Sequence, residues 1–324
     1  MNLPRKIQLT GRNTYIVSLP HEWVAKSGIS KGDAAFLTEN GDGTLTLSLK
    51  ENKKELKSCT IDVSKDTHDV SMRNIVAAYV GGAGTIILRG KDMSTIAEEA
   101  RRVLSGVEIT DESADSLTLR VLAFEDIKID GIIKRAYNVT HSMFALSVAA
   151  YSDEGPDVFT EMSRKEDDVD RLYLLLLRTT SIEGFTSRKE VFKLIAAKSI
   201  EKIGDHLLDI CAVAGDEAPD PDVVRLLEKG SEMYSSAYRV LESNELDRGE
   251  YAQRRMEFKT QLEKAESALK KEKDAKTALS KKAMLERCRK ILRYSEDMME
   301  SSTDMYFAAL GSDSPAKEGA KVRA

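Results

Sequence analysis

From residue 125 onward the strand pattern vanishes, and six helical stretches of about 25 residues follow one another with short links. They run over 126–151, 156–182, 187–214, 219–245, 248–273 and 275–310. The breaks are SDEGP, SIEGFTS, GDEAPDP, SNELDRG and the Lys273-Asp274 step. In the first stretch Ile129, Ile132, Ile133, Ala136, Tyr137, Phe144, Val148 and Tyr151 recur at helical spacing. Helices this long on links this short must fold back on one another, so antiparallel bundles are expected. The Pro/Asp-rich link divides the six into 125–216 and 217–310, which predicts an internal repeat of a three-helix unit.

Upstream the pattern differs. Residues 58–124 alternate strand and helix: CTIDV, THDVSMRNIVAAYVGG, GTIILRG, MSTIAEEARRVLSG, then VEITDE and LTLRVLA around Ser113 to Ser116. This predicts a small βαββ-type α/β sandwich with one sheet under two helices. GGAG (81–84) follows a helix rather than opening one, so it is a helix stop and not a phosphate loop. Ser94 and Thr95 stand near the start of the second helix.

Residues 1–50 hold four short strands and one short helix: KIQLT and TYIVSLP flank Gly11-Arg12-Asn13, HEWVAKSG ends at Gly28, and AAFLTE and TLTLSLK flank the NGDG turn. Fifty residues of this kind cannot bury a sufficient core alone, and oligomerisation is the expected remedy. ENKKELK (51–57) is a charged connector, and the polar tail 311–324 is expected to be disordered.

The net charge of −5 argues against binding nucleic acid along the whole chain but leaves a basic end free to do so. Cys59, Cys211 and Cys288 are odd in number and unpaired by spacing, which excludes a disulfide framework and suits a reducing compartment. The longest apolar runs, such as Tyr173 to Leu177, are far too short to span a bilayer, so no membrane insertion is expected.

Two acidic strings carry the chemistry. EDDVDRLY (166–173) places Glu166 four residues before Asp170, and IEKIGDHLLDI (200–210) places Glu201 four before Asp205, with Asp209 one turn on. On a helix these pairs share a face, where like charges repel by a few tenths of a kcal/mol. Two such helices side by side would offer four oxygen-rich ligands to a cation that relieves the repulsion. In a chain that is 32% charged, such pairs also arise as ordinary solvated surface. Both, however, border apolar stripes: Val169, Leu172, Tyr173 and Leu176 on one helix, Ile200, Ile203, Leu207 and Ile210 on the other. Gly204 suggests close backbone approach there. His206 follows Asp205 but points about 100° away around the helix. His21, His68 and His141 read as surface or packing residues, and no catalytic constellation is evident.

KEDDVDRLYLLLLR and KSIEKIGDHLLDI resemble the paired signature helices of the PhoU family of phosphate-uptake regulators. The resemblance extends over about 125–310 and is strong over 163–213. It implies a bundle of two three-helix repeats. It also implies that iron, zinc or another divalent cation can sit on Glu166, Asp170, Glu201 and Asp205. The second repeat departs from the pattern: it offers Glu257 without a following Asp, Leu292 in place of Glu, and Glu296 or Asp297 near the Asp position. Residues 4–50 resemble the AbrB/MazE-type (SpoVT-AbrB) swapped-hairpin domain, which implies a head that pairs two chains. Many such heads bind DNA through basic residues of the first strand and turn, here Arg5, Lys6 and Arg12. Residues 1–50 hold six Lys/Arg against four Asp/Glu, a net of +2, and a pure dimerisation module remains the alternative.

The expected fold class is therefore α+β and multidomain: swapped-hairpin head, small α/β sandwich, six-helix PhoU-like bundle. This order resembles archaeal PhoU-like regulators. It implies a cytoplasmic, homodimeric, non-enzymatic regulator of phosphate uptake whose partners are a transporter component or signalling protein and, through the head, operator DNA. The alternative is an AbrB-type transcriptional regulator with the bundle as sensor.

Overall fold

The computed structural model describes residues 4–39, 44–49, 57–122, 128–150, 157–185, 187–214, 220–243 and 245–310. The NGDG turn, the connector up to residue 56, the SDEGP break and the tail 311–324 lie outside the described residues. The chain forms two compact units, Met1–Lys54 and Glu55–Ala324.

In the first unit β1 (Gln8–Thr10) and β2 (Thr14–Ile16) form an antiparallel hairpin, with Leu9 opposite Tyr15. Gly11 at the turn has φ +67°, a left-handed conformation that suits glycine. Helix α1 (His21–Lys26) follows Pro20 and stops before Gly28. β3 (Phe36–Glu39) and β4 (Leu45–Ser48) make a second, separate hairpin. The strands are shorter than the apolar runs that encode them, because each hairpin finds only its own partner strand within the chain. No described residue of this unit is buried.

The second unit opens with β5 (Ser58–Asp62), α2 (His68–Val80), β6 (Thr85–Arg89), α3 (Met93–Val103), β7 (Val107–Glu112) and β8 (Leu117–Val121). The sheet order is β5-β6-β8-β7: β5 and β6 run parallel across the α2 crossover, and β8 pairs antiparallel with both β6 and β7. Thr67 caps α2 by accepting a hydrogen bond from Val70 N. Ser94 does not cap α3: its hydroxyl donates to Glu112 at 2.6 Å, and Asp92 enters the helix with φ 55°. Alternate residues of β6 and β8 (Ile86, Leu88, Leu117, Leu119) are fully buried with Ile75, Tyr79 and Ile96 of the helices. One face of the sheet is thus covered by two helices, as the sequence predicts.

The bundle comprises α4 (Ile129–Ala149), α5 (Asp157–Glu183), α6 (Arg188–Ala214), α7 (Pro221–Ser243), α8 (Gly249–Leu269) and α9 (Ala275–Leu310). Within α4–α6 every helix packs on the other two, and α7–α9 repeat that pattern. α6 against α9 and α4 against α7 join the two trios. This arrangement relates the trios by an approximate twofold. α5 also carries the α/β layer. Buried Arg178 donates to the carbonyls of Tyr79 (2.6 Å) and Ala83 (2.8 Å), and its guanidinium lies 4.8 Å from the Tyr79 ring centroid. One turn on, Ile182 packs where a side chain on Gly82 (φ +88°) would sit, at 3.0 Å. The GGAG stop therefore serves as the docking loop for α5.

The glycine that packing requires is not the one the sequence singles out. A Cβ on Gly204 would meet nothing closer than 3.8 Å, which is ordinary contact. A Cβ on Gly230 of α7 would lie 3.1 Å from Phe144 and 3.3 Å from Phe258, both core rings. Gly204→Ala should stabilise the protein by about 1 kcal/mol through helix propensity. Gly230→Ala should destabilise it by about 1–3 kcal/mol through overpacking. Urea denaturation of the two variants should give shifts of opposite sign.

Candidate functional site

The two acidic strings lie where their helices pack. Val169 and Leu172 of α5, and Ile200, Ile203 and Leu207 of α6, are buried in the bundle core. The acidic residues at the edges of these buried stripes face each other across the α5–α6 groove. Glu166, Asp170 and Asp205 each bring a carboxylate oxygen within 4.8 Å of the others. Glu201 lies outside that triad but within its field, and Asp209 turns away to Arg287 of α9 at 3.3 Å.

The electrostatics show the cost of this convergence. Burial, then the charges of Asp170 and Asp205, pushes the Glu166 carboxyl up to about 7. Burial, then Glu201 and Asp205, pushes Asp170 up to about 6. Two lysines on α6 answer part of the charge. Lys198 donates to Glu201 at 2.7 Å, and Lys202 donates to Asp205 at 2.5 Å while lying 3.4 Å from Glu201. Burial alone would lower the Lys202 pKa, but the Asp205 hydrogen bond and the two carboxylates outweigh it and hold it above the usual lysine value. When all four carboxylates are ionised, the two ammonium groups leave two negative charges, which one divalent cation would neutralise. Glu201 Oε2 is buried with no hydrogen-bond partner among the described residues. A hard or borderline cation fits this donor set: clustered carboxylate oxygens, an unsatisfied buried oxygen and residual negative charge.

His206 is not part of the set. It is buried, with its ring 5.7 Å from that of Tyr294 on α9. Lys198 and Lys202 went unread in the sequence, although their spacing three residues before Glu201 and Asp205 is a legible signal for pairing along a helix.

The second trio inverts the arrangement. Glu296 of α9 is gripped by Arg255 and approached by Lys259 at 3.9 Å, two cations one turn apart on α8. Glu257 faces α7, where Lys229 lies at 3.3 Å. In this trio Arg and Lys from neighbouring helices pair with the carboxylates.

In the first unit Arg5 and Lys6 are exposed just before β1, and Arg12 is exposed in the turn after it.

Residues 133–214, covering α4 from its second turn through α5 and α6, match the family described as the PhoU domain. This stretch of the chain is similar to a PhoU domain. Residues 8–55 match the family described as antidote-toxin recognition MazE, bacterial antitoxin. The PhoU match spans the carboxylate triad and ends before the second trio, where no such cluster occurs among the described residues. Both matches agree with the resemblances found in the sequence, the PhoU match over the first three-helix repeat of the expected 125–310 span. No curated protein matches the chain. Among the described residues no helix is long and apolar enough to cross a membrane.

Proposed function

We propose that the protein is a cytoplasmic, non-enzymatic regulator of phosphate uptake whose PhoU domain binds a transporter component or signalling protein. A divalent cation at Glu166, Asp170 and Asp205, with Glu201 adjoining, would set the charge of that domain. The carrying observation is the carboxylate triad within the residues that match the PhoU family. The all-oxygen donor set suits iron, manganese or magnesium better than zinc, which favours nitrogen and sulfur. Bound there, a cation would supply charge neutralisation, held by Glu166 and Asp170 of α5 and Asp205 of α6. Affinity capture with the full chain, at high and low phosphate, tests the reading. A transporter or phosphate-signalling component should be recovered with the wild type and lost with the Asp170→Asn/Asp205→Asn pair. Equal recovery by both proteins would refute the role of the triad.

The head supports a homodimer and a second reading. Its net charge of +2 and the exposure of Arg5, Lys6 and Arg12 suit contact with DNA phosphates once two copies double the basic edge. A mobility shift that survives excess competitor DNA and disappears in the Arg5/Lys6/Arg12→Ala variant would make operator binding the primary function. No shift would leave the head as a dimerisation module.

A further inference from the structure

The sheet β5-β6-β8-β7 has two free edges among the described residues, and they are built differently. β7 closes one edge with a register shift between Ile109 and Asp111 and with the acids Glu108, Asp111 and Glu112. Bulges and charged side chains are the usual protection of an edge against a further strand. β5 has neither device. Its register with β6 runs unbroken from Ser58 to Asp62, it holds no proline or lysine, and Asp62 at its end is its one charged residue.

The backbone groups of β5 are sorted by side. Lys57 O accepts from Gly84 N at 2.9 Å, and Val63 N donates to Arg89 O at 2.8 Å. In a strand the N–H and C=O of one residue point the same way, and those of its neighbours point the other way. Cys59 and Ile61 therefore turn to β6 with Lys57 and Val63, while the N–H and C=O groups of Ser58, Thr60 and Asp62 turn outward. These three residues are exposed, and among the described residues no strand lies on that side. The side chains are incomplete in the same way. Cys59 and Ile61 pack on the core of the sheet but stay half-buried, whereas their register partners on β6, Ile86 and Leu88, are fully buried. A strand laid along β5 would cover them.

The sequence of β5 complements itself. In an antiparallel pair centred on Thr60, Thr60 faces the partner's Thr60, and Ser58 faces the partner's Asp62. These are the outward-turned residues, so they form the hydrogen-bonded pairs, with about six backbone hydrogen bonds in all. Cys59 faces the partner's Ile61 on the helix-covered face. Hydroxyl meets hydroxyl, hydroxyl meets carboxylate, apolar meets apolar, and no like charges are opposed. The same pairing at β7 would set acid against acid. Only residues 49–57 separate β4 of the head from β5, so a head that pairs two chains holds two β5 edges at a raised local concentration. That last point rests on the homodimeric head proposed above; the complementarity of the edge does not. We propose that β5 is an interaction surface for a second copy of this chain, which joins the two sheets into one across a twofold at Thr60.

Cysteine crosslinking of the full chain in a Cys59→Ser background tests this. The Cα atoms of a hydrogen-bonded antiparallel pair lie about 5.5 Å apart, inside the range that a disulfide spans. Thr60→Cys should therefore yield a disulfide-linked dimer on mild oxidation with copper phenanthroline, read by non-reducing electrophoresis. In the same register the two Ser58 positions are four residues out of step, about 13 Å, so Ser58→Cys should crosslink at least about tenfold less. Thr110→Cys, on the protected edge, should do the same. A chain that is dimeric by sedimentation velocity but whose Thr60→Cys form does not crosslink overturns the strand pairing and leaves the head standing. A monomer without a crosslink overturns both. Crosslinking of Ser58→Cys or Thr110→Cys as readily as Thr60→Cys also overturns the pairing, because collision rather than register would then join the chains.

Discussion

Asp170→Asn should make the cation-free protein more stable at pH 7.5, where removal of a half-buried charge that held the fold together would make it less so. The folded-state pKa values of Asp170 and Glu166 stand at about 6 and about 7, above the ordinary carboxylate range near 4. A carboxyl group whose pKa rises on folding contributes its full share of stability below its unfolded pKa and loses it as pH climbs through the folded value. Between about pH 4 and pH 8 the chelated wild type should therefore lose stability. The groups that titrate are Glu166 and Asp170, raised by burial and by the charges of Asp205, Asp167 and Glu201 and opposed at Asp170 by Lys198 and Lys202. Because the triad is partly open to solvent, screening reduces the loss to about 1–2 kcal/mol. The asparagine keeps the shape of the protonated acid and removes one charge, so its pH profile should be flatter and its midpoint higher at pH 7.5. The order should reverse when manganese or iron(II) is added, because a ligand at a hundred times its Kd stabilises by about 2.7 kcal/mol and only the wild type retains the full triad. Thermal denaturation with and without chelator reads both arms. A variant less stable in chelator, or stabilised by cation as much as the wild type, would remove the triad from consideration as a metal site.

The second large effect belongs to the head. Leu9→Asp or Leu37→Asp should abolish self-association of the full chain at micromolar concentration, weakening it at least about a hundredfold, since each places an unpaired charge in a buried apolar contact. Within one chain both positions look permissive, at 59% and 64% exposed. Leu9 sits opposite Tyr15, and the twofold period of a strand puts Ile7 and Val17 on the same face, so the first hairpin presents a continuous apolar surface. An unburied face of that kind requires a partner, and a second copy of the same hairpin pair is the partner the MazE-type match suggests. Sedimentation velocity would settle the matter: a variant that remains dimeric shows the head is not the interface.

Much of this was legible from residue order. Helical periodicity over 125–310 encoded the bundle because helix–helix packing is local and repetitive, and the observed helices differ from the expected ones by a few residues at their ends. The acidic strings were legible because spacing by four on a helix fixes a shared face, whatever the partner. Other features depend on residues far apart in the chain. Arg178 bolts α5 to the carbonyls of Tyr79 and Ala83, nearly a hundred positions earlier, and nothing around it in sequence marks it as a latch. Gly204 drew attention by sitting near the acids, but the tight contact falls on Gly230, because Phe144 and Phe258 converge there from two other helices.

Local spacing therefore dictated the elements, the face each helix buries and the candidate acids. Which acids meet was decided by how α5 and α6 cross: Glu166, Asp170 and Asp205 converge, Glu201 is drawn to Lys198, and Asp209 is turned toward α9. The same holds for the free edge of β5, which the strand order β5-β6-β8-β7 leaves at the rim of the sheet. A helix fixes only its own angular order, and the distances between charges on different helices exist only once the core has packed.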